Sequence, residues 1–133
     1  MFIVKNGKVK NILLPVTPST AIAAGALVAF SSGKLIAATA STAAADIVGI
    51  LVKAIAATDS DYASDRLVEV QVPMEKSLEV EFDTASLVAG DIGTIADLTD
   101  SVTVNRGASS VDVIRITKVI SSTKGRGILL IQG

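Results

Sequence analysis

Apolar and polar positions alternate along much of this chain, and helical periodicity is scarce. Val68, Val70 and Val72 alternate with Glu69 and Gln71, while Leu78, Val80 and Phe82 alternate with Glu79, Glu81 and Asp83. A period of two sends successive side chains to opposite faces, so both runs predict half-buried β-strands. The link Pro73-Met74-Glu75-Lys76-Ser77 has the length of a hairpin loop and a proline that a central strand excludes, which predicts one hairpin over residues 67–83. Residues 26–30 and 35–39, joined by Ser31-Ser32-Gly33-Lys34, predict a second hairpin whose glycine supplies positive φ. The stretch Thr123-Lys124-Gly125-Arg126-Gly127 before Ile128 predicts another hairpin, with Gly125-Arg126-Gly127 at its tip. Further strands are expected over residues 2–4, 8–16, 46–52, 92–95, 101–104 and 111–120, and the small, polar segments 39–45 and 58–65 read as loops with at most one helical turn each. Many short strands between turn clusters predict an all-β fold, a barrel or a sandwich.

Three blocks recur in one order. Ala24-Gly25 leads an apolar segment, Asp46 opens the run Ile47-Val48-Gly49-Ile50-Leu51-Val52-Lys53, and Val68-Glu69-Val70-Gln71-Val72 closes the unit. Ala89-Gly90, then Asp112-Val113-Ile114-Arg115-Ile116-Thr117-Lys118, then Ile128-Leu129-Leu130-Ile131-Gln132 repeat the sequence of events. This suggests a duplicated β-unit with pseudo-repeats over about 20–72 and 84–132, inside a single β domain spanning 19–133. Residues 1–18 stand apart as an N-terminal arm or a first strand, with Pro15 and Pro18 suited to a hinge.

At 133 residues, the chain is long enough to bury most of its apolar surface in one domain. Half of the residues are hydrophobic but only 3% are aromatic, so the core must be built from Val, Ile, Leu and Ala. The absence of cysteine removes disulfides and thiolate sites and fits a reducing cytosol. The start lacks a signal-peptide pattern, and the apolar stretches 21–30 and 35–45 fall short of the roughly 20 residues a membrane helix needs, so a soluble chain made in the cytoplasm is expected.

Charge is segregated although the net is −1. Residues 1–58 carry Lys5, Lys8, Lys10, Lys34 and Lys53 against Asp46 alone; the middle of the chain is acidic; the last stretch carries Arg115, Lys118, Lys124 and Arg126. Glu79, Glu81 and Asp83 share one strand face, where like charges repel unless a cation or partner offsets them. A solvated acidic face is the plainer reading; head-to-tail pairing of acidic and basic patches in a ring such as a trimer is the other.

Histidine is absent, and with it the commonest general base, metal ligand and nucleophile-activating group. No nucleophile, base and oxyanion set can be assembled, so no catalytic residue and no enzyme activity are expected. Asp59, Asp61 and Asp65 offer oxygen ligands but lack the central glycine and terminal glutamate of an EF-hand loop, and a polar loop is the preferred reading. Gly33-Lys34 is not a phosphate loop, and Gly125-Arg126-Gly127 is too short for a nucleotide signature. No cofactor is expected. Nucleic-acid binding lacks its basic face with stacking aromatics.

The ordered run Ala24-Gly25-Ala26-Leu27-Val28, Gly33-Lys34-Leu35, Ala37-Ala38, Asp46-Ile47-Val48-Gly49-Ile50 and Arg66-Leu67-Val68-Glu69-Val70 resembles the decoration, or head cement, proteins of tailed bacteriophages. The resemblance covers about residues 20–72. It implies a compact β-barrel or β-tulip domain that sits as a homotrimer on the outer capsid surface of the virion, made in the host bacterial cytoplasm and clamping neighbouring major capsid protein subunits. A recombinase label carried by some relatives finds no phosphate loop here. Under this reading Phe2, Ile3, Val4, Lys5, Lys8 and Lys10 of the arm, the acidic strand with Glu79, Glu81 and Asp83, and Arg115 and Lys118 are the expected contacts to capsid or sister subunits. The arm would add a strand to a neighbour or lie on the shell. Two other readings remain: a phage tail or receptor-binding accessory module, and a β-barrel that binds a small ligand in an apolar pocket.

Overall fold

The computed structural model describes residues 1–131, which form eleven strands. These are β1 (Ile3–Asn6), β2 (Val9–Val16), β3 (Leu27–Ser31), β4 (Lys34–Ala37), β5 (Ile47–Leu51), β6 (Arg66–Pro73), β7 (Glu79–Asp83), β8 (Ile95–Asp100), β9 (Thr103–Asn105), β10 (Ile114–Ser121) and β11 (Lys124–Leu129). Two short 3-10 turns, Ala44–Asp46 and Ala89–Asp91, precede β5 and β8.

The strands close two five-stranded barrels, β2-β4-β3-β5-β6 and β7-β9-β8-β10-β11. Connectivity is identical in the two. The first strand runs parallel to the third and antiparallel to the fifth, the second lies between the third and fourth, and the fourth meets the fifth. Each parallel seam is one residue pair long, Val16 with Leu35 and Asp83 with Thr103. The all-β barrel class is therefore as expected, and the repeated unit is a repeat of connectivity. Its boundaries are corrected: the units are residues 9–73 and 79–129, because the blocks at 20–72 and 84–132 each leave out the first strand. Gln132, assigned to the closing block, lies outside the described residues.

Two further expectations are corrected. Residues 67–83 are not a hairpin: β6 and β7 belong to different barrels, and residues 74–78 connect them. Of the two readings of residues 1–18, the strand holds and the arm does not: β1 pairs antiparallel with β7 of the same chain, β2 is a wall of the first barrel, and Phe2 is a core residue, 2% exposed.

Val16, Val28, Leu35, Leu51 and Val70 fill the first barrel. Val80, Phe82, Leu98, Ile114, Ile116 and Leu129 belong to a second cluster that also takes in Phe2, Leu27, Ala38, Ile47 and Ile50, so one core runs from barrel to barrel. Each buried Val, Leu, Ile or Phe among them contributes on the order of 1.5–3 kcal/mol by burial. The join is also polar: Leu27 N donates to Ser101 O at 2.8 Å, and Phe2 N to Gly25 O at 2.8 Å.

Candidate interaction surface

The pairing of β1 with β7 sets Ile3 opposite Glu81 and Val4 opposite Val80. Val80 and Phe82 point into the barrel, which turns Glu79, Glu81 and Asp83 outward. On the other side of β7, β11 places Lys124 opposite Asp83 and Arg126 opposite Glu81. Lys124 Nζ stands 3.7 Å from Asp83 and 3.9 Å from Glu81, and Arg126 stands 3.9 Å from both Glu79 and Glu81. At these separations the contacts are Coulombic rather than hydrogen bonds. The Met1 amino group donates to Asp83 Oδ2 and, with the charge of Lys124, holds that carboxyl below its usual range. The repulsion expected along the acidic strand is thus offset by cations of the same chain.

Other cations are left over. Arg115 and Lys118 are exposed on β10; Arg115 donates to Gly93 O at 2.8 Å, and neither forms an ion pair among the described residues. Lys5 on β1, Lys8 just before β2 and Lys10 near its start are likewise exposed and without an ion pair there. The structure therefore brings the N-terminal residues and the acidic strand into one sheet, puts Arg115 and Lys118 two strands away, and sets Lys8 and Lys10 on the other barrel.

The outer face of β2, opposite in parity to Lys8 and Lys10, is apolar towards its end. Leu13 is 62% exposed and Leu67 59%. Leu13 lies opposite Glu69, and Pro15 opposite Leu67, on the outer face of the β2–β6 pair. Val52, exposed, donates its N–H to Glu69 O, and shares a groove of about 210 Å³ with Met1, Ile3, Leu51 and Gln71. Neither leucine was among the expected contacts. The run Ile12-Leu13-Leu14 carries the signal, since a strand with one buried face must turn one of three consecutive apolar residues to solvent.

The Asp59 loop is held by cations of its own chain. Asp59 accepts from Ala56 N at 3.0 Å and from Arg66 at 3.1 Å, and these bonds lower its pKa. Arg66 also donates to Asp61, and Lys34 pairs with Asp65. A depression of about 390 Å³ opens beside them, lined by charged Lys53, Asp59, Asp61, Arg66 and Glu69.

Asp97, 4% exposed on β8, accepts from three successive backbone N–H groups: Ser110 at 2.7 Å, Val111 at 2.9 Å and Asp112 at 2.8 Å. Burial pushes its carboxyl up, and the three bonds outweigh that, leaving the pKa below the ordinary value. Asp97 organises the loop into β10.

No protein-family model matches the chain, and no curated protein matches its sequence.

Proposed function

We propose that this chain is a structural, non-catalytic decoration protein that binds the outside of a tailed-phage capsid as a trimer and ties major capsid protein subunits together. The observation that carries the reading is that the β2–β6 pair presents Leu13 and Leu67 exposed on its outer face, while Lys8 and Lys10, exposed and without an ion pair among the described residues, stand on the other face at the end where β2 begins. Exposed apolar side chains on one face and free cations at the edge of the same strand suit a protein partner with an acidic, partly apolar surface. The ordered motifs between residues 20 and 72 point to the head lattice as that partner. A ligand that binds the assembled shell and not its subunits stabilises the shell by mass action, and several weak contacts on one trimer add through effective concentration. Side chains fill both barrels, which speaks against a small-ligand barrel.

The test is cosedimentation of the purified chain with undecorated shells of the major capsid protein encoded alongside it, with light scattering for its own mass. Saturable binding that raises the shell's melting temperature and weakens with salt is the expected result. A folded chain that ignores shells and binds tail tubes instead would replace this reading with the tail-module one.

A further inference from the structure

The two barrels differ at one matching edge. In the second barrel, β7 has β11 along one side; its other side is shared by β9, which pairs only at Asp83, and by β1, which covers Glu79 to Glu81. In the first barrel, β2 has β6 along its whole length, and β4 pairs on the other side only at Val16. In that parallel register the β3–β4 turn ends level with Leu14 and Pro15, and among the described residues no strand occupies the position that β1 occupies on β7.

The backbone groups at this edge can be assigned. Along a paired strand, successive residues turn their N–H and C=O to alternate sides. Lys8 O accepts from Met74 N on the β6 side, while Thr17 N donates to Leu35 O on the β4 side, so even-numbered residues of β2 face β6 and odd-numbered residues face away. β7 obeys the same parity: Leu78 O and Thr84 N bond towards β11 and the turn before it, leaving Glu79 and Glu81 to face β1. Val9, Asn11 and Leu13 therefore present their peptide groups along the open edge. Pro15 has the same parity and no N–H, which a strand tolerates only where no ladder bond is needed.

We propose that this edge of β2 accepts one extended acidic strand of a partner protein, filling the place that β1 fills on β7. The charge pattern selects the occupant. Where the site is filled, the receiving strand is acidic and the incoming strand brings Lys5 and the Met1 amino group. At the open site the receiving strand brings Lys10, with Lys8 just before it, both exposed and without an ion pair among the described residues, so the signs are reversed. Strand addition supplies main-chain hydrogen bonds, and an alternating acidic segment supplies the matching charge. The acceptor edge follows from comparing the two barrels and does not depend on whether the partner is a capsid subunit.

Amide hydrogen exchange of the full chain, residue by residue, tests this with a capped hexapeptide alternating valine and glutamate. In the dilute chain the amides of Val9, Asn11 and Leu13 should exchange at least tenfold faster than those of Ile12 and Leu14. Excess peptide should slow the three odd-numbered amides at least tenfold, and a peptide with lysine for glutamate should not. Leu13→Pro removes a donor from the open edge alone and should abolish the effect. Should that variant not fold, Lys8→Glu with Lys10→Glu should switch the preference to the lysine peptide. Odd-numbered amides already protected in the dilute monomer, or unmoved by the acidic peptide, would overturn the proposal. Protection that instead grows with the chain's own concentration would assign the edge to a second copy and overturn the acidic partner.

Discussion

Gly49 on β5 lies so close to Gln71 on β6 that a Cβ on the glycine would stand 2.2 Å from the Gln71 carbonyl oxygen. No real Cβ comes so near an oxygen, so the strands must part before any side chain enters. The Val-Gly-Ile motif thus marks a place where the first barrel curves too tightly for a side chain. Gly49→Ala should cost about 2–3 kcal/mol by overpacking. Thermal unfolding should show a melting temperature lower by on the order of 10 °C. Gly90→Ala, where a Cβ meets nothing within 4 Å, is the control and should change little.

Asp97 makes stability pH-dependent. Its folded carboxyl binds a proton more weakly than the unfolded one, so its contribution is full above the unfolded value of about 3.9 and is lost as pH falls through the lower folded value. Denaturant titrations from pH 6 down to pH 2 should show an acid limb that Asp97→Asn flattens. Asp97→Ala leaves three backbone donors without their acceptor and should cost about 2–4 kcal/mol at neutral pH. An unchanged acid limb in Asp97→Asn would assign the pH dependence to other carboxylates.

Local pattern made much of this fold legible. The hairpin of β3 and β4 turns through Ser32 and Gly33, both at positive φ, where the Ser-Ser-Gly-Lys link places it. Strand faces along β6 and β7 follow the Val-Glu and Val-Phe alternation. Alternation tells which way a side chain points and nothing about which strand lies alongside, so the pattern of β6 and β7 reads as a hairpin although they wall different barrels. Gly125 and Gly127 misled in another way. The hairpin they predict is present as β10 and β11, but its turn is at Ser122 and Thr123; both glycines stand inside β11, where a Cβ would meet Lys118 O at 2.9 Å and Arg115 O at 2.5 Å. The intramolecular partners of Glu79, Glu81 and Asp83 lie more than forty residues away in sequence, beyond the reach of spacing. The open edge of β2 becomes visible only beside β7.

The N-terminal residues are the next point of test. Deleting residues 1–14 to remove a supposed arm would take out β1 and most of β2, and should leave no folded first barrel. Deleting only residues 1–6 removes Phe2 from the shared core and uncovers β7. Phe2→Ala alone should cost about 3–5 kcal/mol. In the residue 1–6 deletion, hydrogen exchange should quicken at Glu79 and Glu81 while the amides of β4 keep their protection. Equal quickening throughout would mean that the barrels do not open separately.

Arg126 and Lys118 face each other across β10 and β11, and their roles should separate. Arg126 offsets Glu79 and Glu81 from a half-buried position, so Arg126→Gln leaves neighbouring carboxylates without their cation and should cost about 1 kcal/mol. Lys118 has no ion pair among the described residues, and Lys118→Gln should stay within about 0.5 kcal/mol of the parent. Shell binding should rank the two the other way. Lys118→Gln with Arg115→Gln should weaken cosedimentation severalfold and flatten its salt dependence, because exposed unpaired cations act on an acidic partner. Arg126→Gln, measured well below its melting temperature, should bind as the parent does, since its charge is already engaged by β7. If instead both variants bind alike, β10 faces away from the shell and the β2 side of the first barrel carries the contact alone.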